Sequence, residues 1–308
     1  MSLESVLQTE EHILSQGSVF LLLKHSPEVV FDDYIFHAGL IYDERAAEVL
    51  AQVYRSYIDI AVAAGLPMAV STATWRANKD RIKASAFADR AVNEDNARFM
   101  DDLRNSYTDS GIPILVKGDI GPRGDAYKPE EALDVKSARD FHSYQVERLA
   151  SQNIDCLTAS TLPAVSEATG IALAMAGTGK PYALSFVVGR DGRVLDGTML
   201  GDAMKQIDDT VGDDSARYAV NCVHPSVLHL ALDQNPEAEG RILSFSGNTS
   251  DLNPEELDAL ETLETQEPRS FALVNQKLLK AHHIPILGAC CGSGPEHIKE
   301  MAGFLAQR

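Results

Sequence analysis

Short apolar runs alternate with longer amphipathic segments along most of the chain. Glycine, proline or polar residues bound the apolar runs, which is typical of buried strands that end in turns. Eight strands are predicted on this basis, at 18–23, 68–72, 114–117, 155–159, 182–188, 217–221, 241–245 and 284–287. The segments between them predict helices at 44–64, 88–110, 137–152, 162–176, 200–208, 225–232 and 295–306, with acidic helices from Pro254 onward.

This order of elements predicts an α/β fold, a single (β/α)8 TIM barrel. Strands that are separated by helices pair in parallel, and eight of them close into a barrel with the helices outside. No change of composition divides the chain, so we expect one domain over residues 1–308, with an atypical N-terminal segment at 1–45. An open doubly wound sheet is the alternative. It is disfavoured because Lys24-His25-Ser26, rather than a glycine-rich phosphate-binding turn, follows the first predicted strand.

The composition narrows the classes of partner. The chain has 308 residues, 44% of them hydrophobic, and a formal net charge of −18. Nucleic acid is excluded as a partner because its phosphates would repel such a surface. No secretory signal and no membrane-spanning apolar run is found. The four cysteines are too few for a disulfide framework and suit a reducing cytoplasm. The oligomeric state, including a homo-oligomer, is left open.

Three cysteines follow predicted strands and are candidate metal ligands. Cys222 comes after the strand at 217–221, and Cys290 and Cys291 come after the strand at 284–287. Adjacent cysteines rarely form a disulfide with each other, because the bond strains the peptide between them. In a barrel the loops after all strands lie at one rim, so we expect the three sulfurs to meet there. The pattern predicts a zinc site with three thiolate ligands and one open position.

Three thiolates give a zinc centre a formal charge of −1 and reduce its Lewis acidity. Such an ion favours holding a substrate sulfur as a nucleophilic thiolate, and therefore alkyl transfer. A zinc hydrolase more often uses histidine or carboxylate ligands, and it is a weaker alternative. Three buried cysteines without metal are the plainest alternative. His224 could replace one cysteine, although a helix cap is favoured, and Cys156 is expected in the core because it comes early in its strand.

The cysteine segments resemble those of the homocysteine S-methyltransferase family. Asn221-Cys222, together with the run from Gly288 to Ser293, is similar to the zinc signature of that family. The likeness extends to the segments at 72–78, 118–125, 185–186, 196–198 and 295–298, and it covers roughly residues 65 to 305.

The resemblance implies an enzyme, a zinc-dependent thiol S-methyltransferase of methionine biosynthesis. Zn²⁺ would be held by Cys222, Cys290 and Cys291, and the sulfur of homocysteine would be the fourth ligand. The partners would be a small thiol acceptor and a small sulfonium, ammonium or corrinoid methyl donor. Trp75 is a candidate wall for a cationic donor, and the alternative is an aromatic ring that only closes the mouth of the barrel. The candidate substrate-binding residues are Thr74, Trp75, Arg76, Asp119, Ser160 and Asn221.

Two departures from the family pattern concern the acceptor pocket. The family usually has an Asp-Gly-Gly-like turn after strand one, and the segment that follows the first predicted strand runs from Leu23 to Pro27. The family also usually has a glutamate at the end of strand four, where this chain has Ser160. Losing that carboxylate would weaken binding of an ammonium by about 1.5–3 kcal/mol. Glu167 is a candidate to compensate, although a position on the following helix is favoured.

These departures keep other functions open. The chain could methylate another small thiol, exchange methyl groups with a corrinoid partner, or be a non-catalytic zinc-binding barrel derived from the family.

Overall fold

Eight parallel strands form a closed barrel in which each strand pairs with its neighbours in sequence and β1 pairs with β8. The computed structural model describes residues 2–212, 216–252 and 265–307. The strands are β1 Ile13–Ser15, β2 Met68–Ser71, β3 Ile114–Ile120, β4 Cys156–Leu162, β5 Tyr182–Phe186, β6 Ala216–Asn221, β7 Ile242–Gly247 and β8 Ile286–Ala289. The prediction of a single (β/α)8 barrel is confirmed, and the open sheet is excluded.

Eleven α-helices lie within the described residues. They are α1 Leu3–Thr9, α2 Phe20–Lys24, α3 Glu44–Ala64, α4 Lys79–Ala84, α5 Val92–Asn105, α6 Val135–Ala150, α7 Val165–Ala176, α8 Leu200–Val211, α9 Pro225–Asp233, α10 Pro268–Ala281 and α11 Pro295–Leu305. None of these helices is both long and apolar enough to cross a membrane. The predicted acidic helices from Pro254 fall mainly on residues 253–264, which lie outside the described residues.

Helix α3 has the predicted bounds because its two ends carry strong sequence signals. The Asp43 side chain accepts a hydrogen bond from the Ala46 N–H at the N-terminus. Gly65 ends the helix in the left-handed region, at φ 66°, which a residue without a Cβ adopts at little cost.

The prediction for the first strand is wrong. The apolar run at 18–23 lies largely in helix α2, and the barrel strand is the shorter β1, where Leu14 pairs with both Met68 and Leu287. A short run that is apolar throughout does not distinguish a strand from a buried helix. The turn after β1 is therefore Gln16-Gly17-Ser18, rather than the segment beginning at Leu23. It has a glycine but no aspartate.

Strands β3 and β4 each continue about three residues further than predicted. Polar side chains occupy their C-terminal halves, so the hydrophobic pattern ends before the strands do. Asp119 and Ser160 consequently lie on the strands themselves, in neighbouring positions of the barrel wall.

An apolar layer closes the N-terminal end of the barrel. Leu3 and Val6 of α1 pack against Ile13, Cys156, Ile286 and other residues near the strand starts. The cavity described below lies on this layer, and polar and apolar side chains line it together.

Candidate metal centre and acceptor cavity

The barrel brings the three candidate cysteines together at the C-terminal ends of its strands. Cys222 directly follows β6, and Cys290 and Cys291 directly follow β8. The Sγ atoms of Cys222 and Cys290 lie 2.7 Å apart, and those of Cys290 and Cys291 lie 3.9 Å apart. All three cysteines are free thiols. The sulfurs lie within 4.8 Å of one another, which is the convergence that the strand positions predict.

The donor set fits a zinc ion. Sulfurs at two corners of a tetrahedron with Zn–S bonds of about 2.3 Å are about 3.8 Å apart. The Cys290–Cys291 pair already has this spacing, and the Cys222–Cys290 pair would have to open by about 1 Å. In the part of the chain that the structure describes, no further His, Cys, Asp or Glu belongs to this group. A site with three protein ligands leaves a position for an external one, as catalytic zinc sites do.

The Cys222 side chain is held in place by a strained backbone conformation and by the buried amide of Asn221. Both Cys222 and Thr161 adopt positive φ angles, 58° and 62°. Residues other than glycine adopt this region at a cost of order 1–3 kcal/mol. The Asn221 amide nitrogen donates to Thr161 Oγ1 at 2.7 Å and to Cys222 Sγ at 3.1 Å, while its oxygen accepts from Thr161 N and Ser185 Oγ. Asn221 thus stabilises the strained conformation and directs the sulfur.

A second amide, on Asn248, joins the two cysteine-bearing segments. Its nitrogen donates to the Cys222 carbonyl at 2.9 Å, and its oxygen accepts from the Cys291 N–H at 3.1 Å. Asn248 is 3% exposed, so water does not compete for these bonds. Sequence reasoning missed this residue. Its only signal is a polar segment, Ser246 to Thr249, that runs over the end of an apolar strand.

The pKa values of Cys222 and Cys290 are shifted in opposite directions. The pKa of Cys222 is lowered well below its ordinary value because Cys290 and Cys291 donate hydrogen bonds to its sulfur. The same contacts raise the pKa of Cys290. Burial and the nearby cysteine sulfurs raise the pKa of Tyr127, whose hydroxyl lies against Cys222. Cys222 is therefore the cysteine of the group that loses its proton most readily. Tyr127 is a further residue of the site that the sequence did not identify.

A cavity of about 330 Å³ runs from the cysteines into the barrel, and all three cysteines line it. This volume lies at the lower end of the usual range for small-molecule sites. Four of the six predicted substrate-binding residues also line it: Trp75, Asp119, Ser160 and Asn221.

Thr74 and Arg76 do not line the cavity, but both contact residues in or next to its wall. The Thr74 hydroxyl donates to the Asp119 carbonyl at 2.6 Å. Arg76 donates to the carbonyls of Pro122 and Gly124, and its guanidinium lies 4.3 Å from the ring centroid of Trp75. Both residues therefore fix the loop after β3 and the position of the tryptophan.

A carboxylate lies directly beside Ser160. The Ser160 hydroxyl donates to Asp119 Oδ1 at 2.5 Å, from the adjacent strand. Burial raises the pKa of Asp119 to about 7, against the opposing effects of the Ser160 hydrogen bond and of Lys117. The carboxylate missing from strand four is thus present on strand three.

Glu167 does not reach the cavity. It is fully buried, where it contacts His142 Nε2 at 2.8 Å and accepts from the Arg123 N–H at 2.8 Å. The expectation that it lies on the helix rather than in the pocket is confirmed, because it belongs to α7.

Cys156 and His224 have the structural positions that the sequence favours. Cys156 begins β4 in the apolar layer, and burial raises its pKa to about 12. His224 is the N-cap of α9, where its Nδ1 accepts from the Ser226 N–H. Neither residue belongs to the cysteine group.

Comparison with known proteins agrees with this geometry. The sequence profile described as homocysteine S-methyltransferase matches residues 7–305. The homocysteine S-methyltransferase YbgG of Bacillus subtilis is 23% identical over 327 residues, covering 98% of this chain and 97% of that protein.

Solved structures of the Escherichia coli homocysteine methyltransferase MmuM have the same fold. Its metallated form gives a TM-score of 0.76 at 19% identity, covering 98% of this chain and 99% of that one. Its oxidized form gives 0.77 at 19% identity with the same coverage. Because the family profile spans nearly the whole sequence, the chain belongs to the homocysteine S-methyltransferase family.

Proposed function

We propose that this protein is a zinc-dependent S-methyltransferase that moves a methyl group from a small donor to a thiol, with homocysteine as the leading acceptor. The observation that carries the proposal is the meeting of three cysteine sulfurs at the wall of a deep cavity. Family membership supports the reaction class. With homocysteine the product would be methionine, so the enzyme would serve methionine biosynthesis. Its free thiols suit a reducing cytoplasm.

Cys222, Cys290 and Cys291 would hold the zinc ion. Bound there, zinc would keep an incoming sulfur as a thiolate at neutral pH, where a free thiol of pKa about 8.5 is mostly protonated. The protein contributes a preorganised site, because Asn221 and Asn248 fix the cysteine-bearing segments through buried hydrogen bonds.

The acceptor's ammonium group would bind Asp119. The carboxylate lies in the cavity wall and is oriented by the Ser160 hydroxyl. It would take the role that the family usually gives to a glutamate at the position of Ser160.

The methyl donor would lie against Trp75. One face of the indole is covered by the Arg76 guanidinium, so a sulfonium or ammonium donor would use the opposite face. The Trp75 Nε1–H donates to the Ser160 carbonyl at 3.2 Å, which fixes the ring relative to the acceptor site.

The transfer itself is a displacement at the methyl carbon. A new bond forms between the acceptor sulfur and the methyl carbon, and the bond from that carbon to the donor atom breaks. The electron pair of the broken bond stays with the donor, whose charge falls by one, and the thiol proton has passed to solvent. Alignment of the two substrates inside one cavity supplies much of the rate enhancement.

Zinc content and methyl transfer test the proposal together. The zinc-loaded protein is incubated with homocysteine and, in turn, S-methylmethionine, S-adenosylmethionine, betaine or methylcobalamin, and methionine is measured. We expect one donor to give methionine, and Cys290→Ser to lose both activity and zinc. Cys156→Ser is the matched control and should keep its zinc. An unchanged rate in Cys290→Ser would refute the proposed role of the cysteines.

Methylation of a different small thiol is the second candidate. Ser160 in place of the family's glutamate favours it, since the ammonium contact is rearranged. Isothermal titration distinguishes the two: submillimolar binding of homocysteine that weakens in Asp119→Asn supports homocysteine, and failure to bind homocysteine supports another thiol.

A further inference from the structure

The barrel interior beneath the cysteines carries several hydroxyls and a lysine among its aliphatic side chains. TIM-barrel interiors are normally filled by layers of bulky branched residues. Here six of the eight strands place a hydroxyl or a lysine in the cavity wall: Ser15, Ser71, Lys117, Thr158, Ser185 and Ser244. Small side chains leave the space open, and the lysine places a positive charge in it.

Lys117 has little to neutralise or solvate it within the described chain. Its Nζ donates to Ser15 Oγ at 3.2 Å, and the Ser15 hydroxyl itself donates to the Ala69 carbonyl. Among the described residues, no carboxylate oxygen lies within 4.0 Å of the Lys117 Nζ, which is the limit for an ion pair. An ammonium has three N–H donors, so two remain for the cavity.

A purely structural role does not explain this lysine. Enclosing a cation with no carboxylate in contact is unfavourable, and an apolar residue of similar length would fill the space at lower cost. Burial accordingly lowers the pKa of Lys117, an effect that Cys156 and Asp119 oppose. A buried cation that faces the cavity with no carboxylate in contact is suited to binding an anion.

The charge pattern along β3 matches the head group of an amino acid. Lys117 and Asp119 are two residues apart on this strand, so their side chains leave the same face about 6.6 Å apart. Both side chains line the cavity, and a ligand that carries a carboxylate and an ammonium on one carbon offers them the complementary pair of charges.

We propose that Lys117 binds the carboxylate of the acceptor thiol inside the barrel, while Asp119 binds its ammonium. This inference rests on the proposed function and specifies the class of acceptor. The acceptor is a small thiol whose carboxylate carbon lies about three bonds from the carbon that bears sulfur, as in a thiol amino acid. Lys117 is then a specificity-determining residue, not one that contacts the transferred methyl group.

The test compares four ligands on three proteins by isothermal titration of the zinc-loaded enzyme. The ligands are homocysteine, 4-sulfanylbutanoate (which lacks the ammonium), 3-aminopropane-1-thiol (which lacks the carboxylate) and 2-aminobutyrate (which lacks the sulfur). The proteins are wild type, Lys117→Met and Lys205→Met. Lys205 is the matched control because its ammonium is exposed on α8 and pairs with Asp209. Thermal unfolding checks that each variant is folded, and Lys117→Arg keeps the charge if Lys117→Met does not fold.

We expect Lys117→Met to weaken binding of homocysteine and 4-sulfanylbutanoate about ten- to a hundredfold, the scale of one charge-assisted hydrogen bond. Binding of 3-aminopropane-1-thiol should stay within about twofold, and Lys205→Met should behave as wild type. Lys117→Arg should retain a preference for carboxylate-bearing thiols. Equal weakening of all thiols, or none, in Lys117→Met would overturn the proposal.

The outcomes separate this inference from the proposed function. Sulfur coordination is followed independently, by the absorption of the cobalt-substituted protein. Thiols that coordinate cobalt with equal affinity in wild type and Lys117→Met would refute the carboxylate site and leave the methyltransferase standing. Lys117-dependent binding of 2-aminobutyrate and 4-sulfanylbutanoate without any coordination of thiols would support the carboxylate site and refute the proposed function. Absence of both effects would refute both.

Discussion

Replacing Asn248 by alanine should damage the metal centre more than its distance from the chemistry suggests. The substitution removes the amide that joins the Cys222 carbonyl to the Cys291 N–H. The Cys222 carbonyl is buried and the Cys291 N–H is partly buried, and each loses this hydrogen bond. Each unsatisfied buried group costs about 1–3 kcal/mol. The sum is about 2–6 kcal/mol, and we expect the lower half of this range because water can enter the space left by the amide.

This free energy should appear in two measurements. Urea unfolding of the metal-free protein should show a lower free energy of unfolding, by about 2–4 kcal/mol. Competition with a chromophoric chelator should show a zinc affinity at least tenfold weaker, because the two cysteine segments are no longer held in register for one ion.

Asn235→Ala is the matched control. Asn235 is 1% exposed and also joins separate segments, donating to Gly192 O and accepting from Gly201 N, but it does not contact the cysteines. It should destabilise the fold to a similar degree without changing zinc affinity. If Asn248→Ala and Asn235→Ala bind zinc equally well, Asn248 has no role in organising the centre, and the reasoning is refuted.

Three further predictions concern buried groups. Glu167→Ala should lower the free energy of unfolding by about 3–5 kcal/mol, because it leaves His142 without its buried partner. The affinity for homocysteine, measured by titration, should not change. Weaker binding in a folded variant would contradict the placement of Glu167 outside the pocket. Iodoacetamide at pH 8 should modify Cys222 of the zinc-free protein, whose pKa is lowered, but not Cys156, whose pKa of about 12 keeps it a thiol, and peptide mapping checks this. Burial lowers the pKa of His37 from 6.5 to about 4, so its contribution to stability is lost as pH falls through that window. Between pH 7.5 and 5.0, wild type should lose about 2 kcal/mol more than His37→Phe in urea unfolding, and parallel losses would argue against it.

The cysteine centre could be predicted from the sequence because it depends only on topology. Every parallel strand of a closed barrel ends at the same rim, so Cys222 and the pair at 290 and 291 meet whatever the exact register is. The barrel followed for a similar reason, from the alternation of element types.

The cavity could not be predicted in the same way, because its walls break the hydrophobic pattern that identifies strands. Lys117, Asp119 and Ser160 face inward on strands, where an apolar residue is the usual occupant. The pattern therefore ended β3 and β4 early. It also assigned the first strand to the more apolar segment at 18–23, because β1 has only three residues and is followed by the polar Gln16.

Asn248 was missed because its role arises only from tertiary contacts. Its partners are 26 and 43 residues away along the chain. Nothing in the local sequence distinguishes this asparagine from one in an ordinary turn.

Zinc-edge X-ray absorption, with and without homocysteine, tests the central claim most directly. The account predicts three sulfur neighbours at about 2.3 Å in the protein alone and four after homocysteine is added. A protein that binds no zinc, or whose sulfur count stays at three with saturating homocysteine, would contradict it.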